Sequence, residues 1–351
     1  MVNVITLFIV LAGNNFQPLI DVANGKARNE VFIHEAIQDP HYDDMSWGPQ
    51  EYAVDFNECI YVHDINTKDT IPNNRILKFD STGKFLFVIE TQSVTSLDRV
   101  WFGAITIDPN TNDFIIAGSG IPKGTYEDPS AVPTSKIPCY MFRFSESGQL
   151  LKAQPIKCVH ASYLFYNYGG RFYTKYVDGA AEFDQNLQFI RELPKSLSRG
   201  RGYSQWTDWM GVGSSKEYTS KDTREGKFLI KLKHLKSDTV LVFTFYDLPY
   251  YSFGGSIEGE DRYGNLYLNA RGKNYVRINP QTKKVAIVHF GDLGIPSGVG
   301  DVRHSLVVSP NGNLYWAALI WGVDNHLRYH IYRITSDMFN EKECEVEIRE
   351  E

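Results

Sequence analysis

Ala53-Val54-Asp55-Phe56, Cys59-Ile60-Tyr61-Val62-His63-Asp64, Arg75-Ile76-Leu77-Lys78-Phe79-Asp80 and Lys84-Phe85-Leu86-Phe87-Val88-Ile89 follow one another between positions 53 and 89. Each run is short and rich in β-branched and aromatic side chains. The gaps hold Asn57-Glu58, a polar loop and Ser81-Thr82-Gly83, which suit tight turns between antiparallel strands. The segment reads as one complete four-stranded unit.

Working outward, the same pattern recurs. A second copy runs through Ala104–Asp108, Asp113–Ala117 and Tyr140–Phe144, with a Pro-, Gly- and Ser-rich loop at 121–138. A third covers Tyr163–Tyr166, Arg171–Thr174, Ala180–Asp184 and Leu187–Ile190. The fourth and least regular spans Gln205–Val212, Phe228–Leu232 and Val240–Phe245. The fifth is Ser256–Gly259, Gly264–Leu268, Tyr275–Asn279 and Val285–Val288, and the sixth is Ser305–Val308, Gly312–Ala317 and His330–Ile334. Six copies of roughly 35 to 55 residues predict an all-β, six-bladed β-propeller. Residues 29–338 form the ring, 1–28 a leader and linker, and 339–351 a tail. The sixth copy lacks an outer strand. Glu30-Val31-Phe32-Ile33-His34 is expected to supply it and so remove an exposed edge, with Cys344–Ile348 as the alternative from the other end.

Composition narrows the partners. A net charge of −6, with no run of Lys or Arg longer than two, lacks the footprint needed to hold a phosphate backbone, so nucleic acid is excluded and an anionic membrane surface is unattractive. The 21 Tyr, 21 Phe and 6 Trp either fill the space between blades or line a ligand groove. Met1–Gly13 carries an apolar stretch too short to span a bilayer. It resembles the apolar part of an export signal, with Val10 and Ala12 before a cut at Gly13 but without basic leading residues, and a buried first strand is the other reading. The expected location is outside the cytoplasm, with no transmembrane segment and a monomeric state. Cys59, Cys139, Cys158 and Cys344 form no CxxC pair. Cys59 reads as a small buried hydrophobe, and Cys139 with Cys158 is the candidate disulfide.

Val54-Asp55, Ile60-Tyr61-Val62, Asp64, Asn74-Arg75-Ile76 and Lys78-Phe79-Asp80-Ser81-Thr82-Gly83-Lys84-Phe85 closely resemble an NHL repeat. Gly264-Asn265-Leu266-Tyr267 and Pro310-Asn311-Gly312-Asn313-Leu314-Tyr315 resemble the inner hairpin of the wider gluconolactonase-like (TolB-like) six-bladed group. That resemblance implies a calcium ion in the central channel, held by carboxylates and amides of several innermost strands. The corresponding positions here are Gln50, Gly103, Ala161, Ser256 and His304. None is a carboxylate, although Glu51, Glu258 and Asp301 stand close by. No cofactor is therefore expected, with calcium as the alternative.

Ligands of propellers usually sit at the mouth of the channel, where loops converge. Candidate binding residues there are Gln50, Trp206, Asp208, Trp209, Glu258, Asp301, Arg303 and His304, with Trp47 and Trp101 on the same rim. Two Trp beside an Asp offer apolar faces and an acceptor for a sugar or peptide. Interblade packing of Trp209, and a salt-bridged turn at 301–304, are the competing readings. His326 and His330 read as structural, and no catalytic residue is assigned. The expected function is an exported, non-catalytic ring that binds a glycan, peptide or protein through one face. The alternative is a calcium-dependent, lactonase-like hydrolase or lyase with an atypical channel site.

Overall fold

A computed structural model describes residues 16–33, 48–49, 51–66, 73–128, 132–133, 136–156, 163–176, 179–194, 207–218, 226–237, 239–245, 257–269, 274–296, 298 and 306–350. β1 (Ile20–Ala23) precedes the repeats. The first blade is β2 (Glu51–Val54), β3 (Ile60–Asn66), β4 (Asn73–Phe79) and β5 (Phe85–Glu90). The second is β6 (Leu97–Ile107), β7 (Phe114–Pro122), β8 (Cys139–Phe144) and β9 (Leu150–Ile156). The third is β10 (Tyr163–Asn167), β11 (Arg171–Tyr176), β12 (Gly179–Phe183) and β13 (Phe189–Pro194). The fourth contains β14 (Trp209–Tyr218), β15 (Gly226–His234) and β16 (Thr239–Phe245). The fifth is β17 (Ile257–Glu260), β18 (Leu266–Asn269), β19 (Asn274–Asn279) and β20 (Lys284–His289). The sixth has β21 (Leu306–Val308), β22 (Leu314–Trp321) and β23 (Leu327–Ile334). β24 (Asn340–Lys342) and β25 (Cys344–Glu350) follow.

The six antiparallel sheets form a six-bladed β-propeller, as the repeat predicts. Innermost strands pack side by side around the axis: β2 lies against β6 and β21, β6 against β10, and β17 against β21. The core is divided among the seams between blades. One apolar cluster joins the sixth blade to the first, and others join first to second, second to third, fourth to fifth and fifth to sixth. Because both faces of a blade are covered, a central strand such as β7 can be apolar on both faces instead of alternating. Phe114, Ile115, Ile116 and Ala117 are all fully buried.

Turn chemistry explains where strands stop. Asp55 Oδ1 accepts the Asn57 and Cys59 amides, both at 2.8 Å. Asn167 Oδ1 does the same for Gly169 and Arg171, and Asp261 Oδ1 for Tyr263 and Asn265. In the outer hairpins Asp80 and Asp184 repeat the motif. A short polar side chain that binds amides two and four residues on holds the backbone in a turn and ends the ladder. First and outer hairpin turns thus share one end of the ring, termed here the turn face.

A second repeated feature links neighbouring blades. The third strand carries Lys78, Arg143, Arg277 or Arg333, each opposite a second-strand residue (Tyr61, Ile115, Tyr267 or Tyr315). Each cation donates to a carbonyl beyond its own blade: Lys78 to Glu146 O at 2.8 Å, Arg143 to Gln185 O at 2.6 Å, Arg277 to Ser336 O at 3.2 Å and Arg333 to Ser81 O at 3.1 Å. The outer turn of one blade is in this way tied to the third strand of the blade before it. Arg333→Met, which keeps the aliphatic stem, is expected to lower unfolding free energy by about 1 kcal/mol in urea titrations. An unchanged midpoint would show that the Ser81 contact is not stabilising.

The ring is closed differently from the sequence expectation. The outer strand of the sixth blade does come from the N-terminal side, but it is β1, with Ile20 opposite Ile331 and Ala23 opposite Arg328. Residues 30–33 lie in the fold-back after it, where only Val31 pairs, as a parallel bridge to Asn24; His34 lies outside the described residues. β1 alternates as an edge strand should. Ile20 and Val22 face the core, while Asp21 turns outward to Arg328 Nε at 2.5 Å. The C-terminal segment does not compete for that place. β24 adds a fifth strand to the fifth blade, and β25 pairs with β16 in the fourth. Strands therefore extend beyond the 29–338 boundary at both ends. The fourth blade also begins its described strand at Trp209 instead of Gln205. Cys139 is buried; Cys158, its candidate disulfide partner, lies outside the described residues.

Candidate functional site

Of the residues expected at the channel mouth, Gln50, Trp47, Trp206, Asp301, Arg303 and His304 lie outside the described residues. Glu258 is on innermost strand β17 but is buried, at a break in the β17–β18 ladder between Ile257 and Gly259. Its charge, after burial, helps to hold the Tyr275 hydroxyl in the protonated form. Trp209 packs its ring 4.8 Å from that of His234 and against the core between the fourth and fifth blades. Asp208 accepts Lys236 Nζ at 2.5 Å, and its carbonyl accepts the Leu235 amide. Thr207 hydrogen-bonds Glu260, beside the first turn of the fifth blade, so the 207–209 segment belongs to the turn face. Thr207 and Asp208 thus come close to Glu260, two residues along β17 from Glu258. Trp101 is half-buried under the Arg99 guanidinium, 4.8 Å from its ring centre.

The turn face also carries a crevice of about 220 Å³ between the fifth and sixth blades. Its walls come from both hairpin turns of the fifth blade, the first turn of the sixth and β24. Asp261 Oδ2 accepts Asn265 Nδ2 at 2.7 Å, and Asn265 Oδ1 accepts Asn279 Nδ2 at 2.9 Å. The two amides and the carboxylate are locked in one orientation before any ligand arrives. Gly312 lets the sixth-blade turn approach closely, since a Cβ there would come within 2.8 Å of Asp261 Oδ2, and its φ of 84° suits glycine. Asn311 is held through Nδ2 by Glu58 Oε1 at 2.8 Å and Phe56 O at 3.1 Å, while its buried Oδ1 has no partner among the described residues.

Arg277 runs along one wall, 4.8 Å from the Phe339 ring centre. Lys284 and Glu341 face each other across an exposed edge at 3.6 Å. Tyr263 stands at the lip, 57% exposed, with Arg262 against its ring. The formal charges of Asp261, Glu341, Arg277 and Lys284 cancel. What remains is a fixed set of amide and hydroxyl groups with one open aromatic face. The Gly264-Asn265 and Asn311-Gly312-Asn313 turns were legible as hairpins, but their sharing of one crevice depends on the seam between blades, which local sequence does not encode.

Asp55, Cys59 and Glu146 also converge, their ligand atoms all within 4.8 Å of one another. Asp55 already accepts three donors, counting Tyr61 OH at 3.1 Å, and Lys78 Nζ lies 3.9 Å from Glu146 Oε1. Burial, then the charge of Asp55, pushes the Cys59 thiol up to about 11. This cluster is a protonated thiol beside a satisfied carboxylate, which is a structural arrangement. Among the described residues, no helix is long and apolar enough to cross a membrane.

No protein-family model matches the chain, and no curated protein matches it. Among solved structures, a protein of unknown function from Dyadobacter fermentans DSM 18053 is similar at a TM-score of 0.39 and 9% identity, over 92% of this chain and 100% of that one.

Proposed function

We propose that this propeller is an exported, non-catalytic binding protein that holds a neutral sugar unit in the crevice between its fifth and sixth blades. The carrying observation is the interlocked Asp261–Asn265–Asn279 set facing Asn311 beneath an exposed Tyr263. Sugars are recognised by fixed planar polar groups at their hydroxyls and an aromatic face against their C–H surface. At about 220 Å³ the space falls below the roughly 300–1,000 Å³ of sites for drug-sized ligands, which favours a single sugar or a chain end over a folded partner. Charge cancellation favours a neutral ligand. Export is supported by position: the strand that closes the ring starts at Ile20, so a cut before Gly13 leaves every described strand intact.

The test is titration calorimetry against a panel of neutral mono- and oligosaccharides. Tyr263→Ala and Thr282→Val, the latter removing a hydroxyl from the crevice lining, are expected to weaken binding about tenfold or more, roughly 1.4 kcal/mol, with an unchanged melting temperature because both residues are exposed. Binding that ignores both substitutions, or a panel without a ligand, would remove the proposal.

A further inference from the structure

His63 is the most isolated polar side chain described in the first blade. It lies on β3, 1% exposed, and neither Nδ1 nor Nε2 has a hydrogen-bond partner among the described residues. Leaving a buried polar atom unpaired is costly, so two on one ring require a reason. Its surroundings are polar on one side. Register places His63 directly opposite Glu51 on β2, with Cβ atoms about 5 Å apart in such a pair. Asn74 on β4 is the diagonal neighbour on the same face, and its buried Oδ1 likewise has no partner among the described residues.

That face is turned toward the second blade. The Ile105 amide donates to Glu51 Oε2 at 3.1 Å, and Asn74 Nδ2 donates to Phe102 O at 2.9 Å. Between these two anchor points β6 breaks register, leaving Gly103 and Ala104 out of the ladder opposite His63's strand face. Bulges of this kind recur beside functional sites, where they free backbone groups and open space.

We propose that Glu51, His63 and Asn74 bind a divalent transition-metal ion, zinc or a chemically similar one, in the seam between the first and second blades. An imidazole nitrogen and a carboxylate oxygen are ligands that suit zinc, with the amide oxygen as a weaker third. Calcium instead wants six to eight oxygens, and an imidazole is a poor member of such a shell. Burial at 1% exposure favours the neutral imidazole, which is the form with a lone pair to offer. Three side chains leave a coordination position for water or a ligand atom. This site is on a different seam from the sugar crevice and does not depend on it.

Chelator-treated full-length protein is titrated with Zn²⁺ and with Co²⁺, following metal content, melting temperature and the visible Co²⁺ spectrum. One equivalent should bind, with a raised melting temperature and a Co²⁺ band of low-coordinate type. His63→Gln and Glu51→Gln should each weaken binding a hundredfold or more, while His289→Asn, an exposed histidine beside Asp292, should leave it unchanged. Should His63→Gln fold poorly, Glu51→Gln alone decides. Absence of stoichiometric binding in the wild type, or wild-type affinity in the Glu51→Gln protein, overturns the proposal.

Discussion

Arg75→Ala is expected to lower the unfolding free energy by about 3–5 kcal/mol, the largest loss from any single substitution considered. Arg75 Nε donates to Asp64 Oδ2 at 2.8 Å, and the two side chains are 12% and 1% exposed. Its other nitrogens reach Ala27 O at 3.0 Å and Glu30 O at 2.8 Å, while Asp64 Oδ1 accepts the Phe32 amide at 2.9 Å. One guanidinium therefore pairs a buried carboxylate and anchors the fold-back that follows β1. Lysine has one compact donor head and cannot span these acceptors, so Arg75→Lys should recover little.

The defect should depend on pH, with a definite sign. Burial raises the Asp64 carboxyl above its ordinary value, and Arg75 opposes that rise. Without Arg75 the folded-state value climbs further, so the folded protein keeps a proton that the unfolded chain has already released. Stability of the variant then falls as pH rises from about 4 through the folded value, and the gap to wild type narrows on acidification. Urea midpoints for both proteins between pH 4 and 7 measure this. A gap constant across that range would show that the buried charge is not the source of the loss.

Glu58→Ala is the second large effect, at about 3 kcal/mol. Where the other described first hairpins have their own carboxylate or amide, the sixth blade has Ser309, and Glu58 of the first blade reaches across to serve it. Its Oε1 accepts Ser309 Oγ at 2.9 Å and Asn311 Nδ2 at 2.8 Å; its Oε2 accepts Asn313 Nδ2 at 3.0 Å and Tyr315 OH in a short contact. Four donors lose their acceptor together. Glu58 also sits at a φ of 61°, where glycine is more comfortable. Glu58→Gly should consequently be about 1 kcal/mol less damaging than Glu58→Ala, although it removes the same carboxylate. Equal losses for the two variants would show the strain is absent, and a loss below about 0.5 kcal/mol for Ala would show the four-way contact is not stabilising.

Local chemistry made the blades readable. Asp55, Asp80, Asp184 and Asp261 announce turns through bonds to amides a few residues away, and such bonds depend only on nearby sequence. Pairing across the chain is another matter. Val31-Phe32-Ile33 is the stronger strand former, yet Ile20–Ala23 closes the sixth blade, because Asp21 there meets Arg328 and His330 while Val31 and Ile33 are drawn into the core beneath the Arg75 anchor. The repeated third-strand cations were visible as residues, but their acceptors lie in the following blade. The crevice was hidden for the same reason: Asn265 and Asn311 meet only once the ring has formed.

β1 and its partner β23 are separated by some three hundred positions along the chain. At a synthesis rate of about 5–20 residues per second, the leading strand waits roughly 15–60 s before its complement leaves the ribosome. During that interval the nascent polypeptide carries an unsatisfied β edge, and the outer margin of the fourth sheet has a shorter wait for β25, about a hundred positions on. Ring closure therefore comes late, when β23 pairs with β1 and β25 with β16, and a nascent chain arrested before residue 327 should remain open and prone to capture by chaperones.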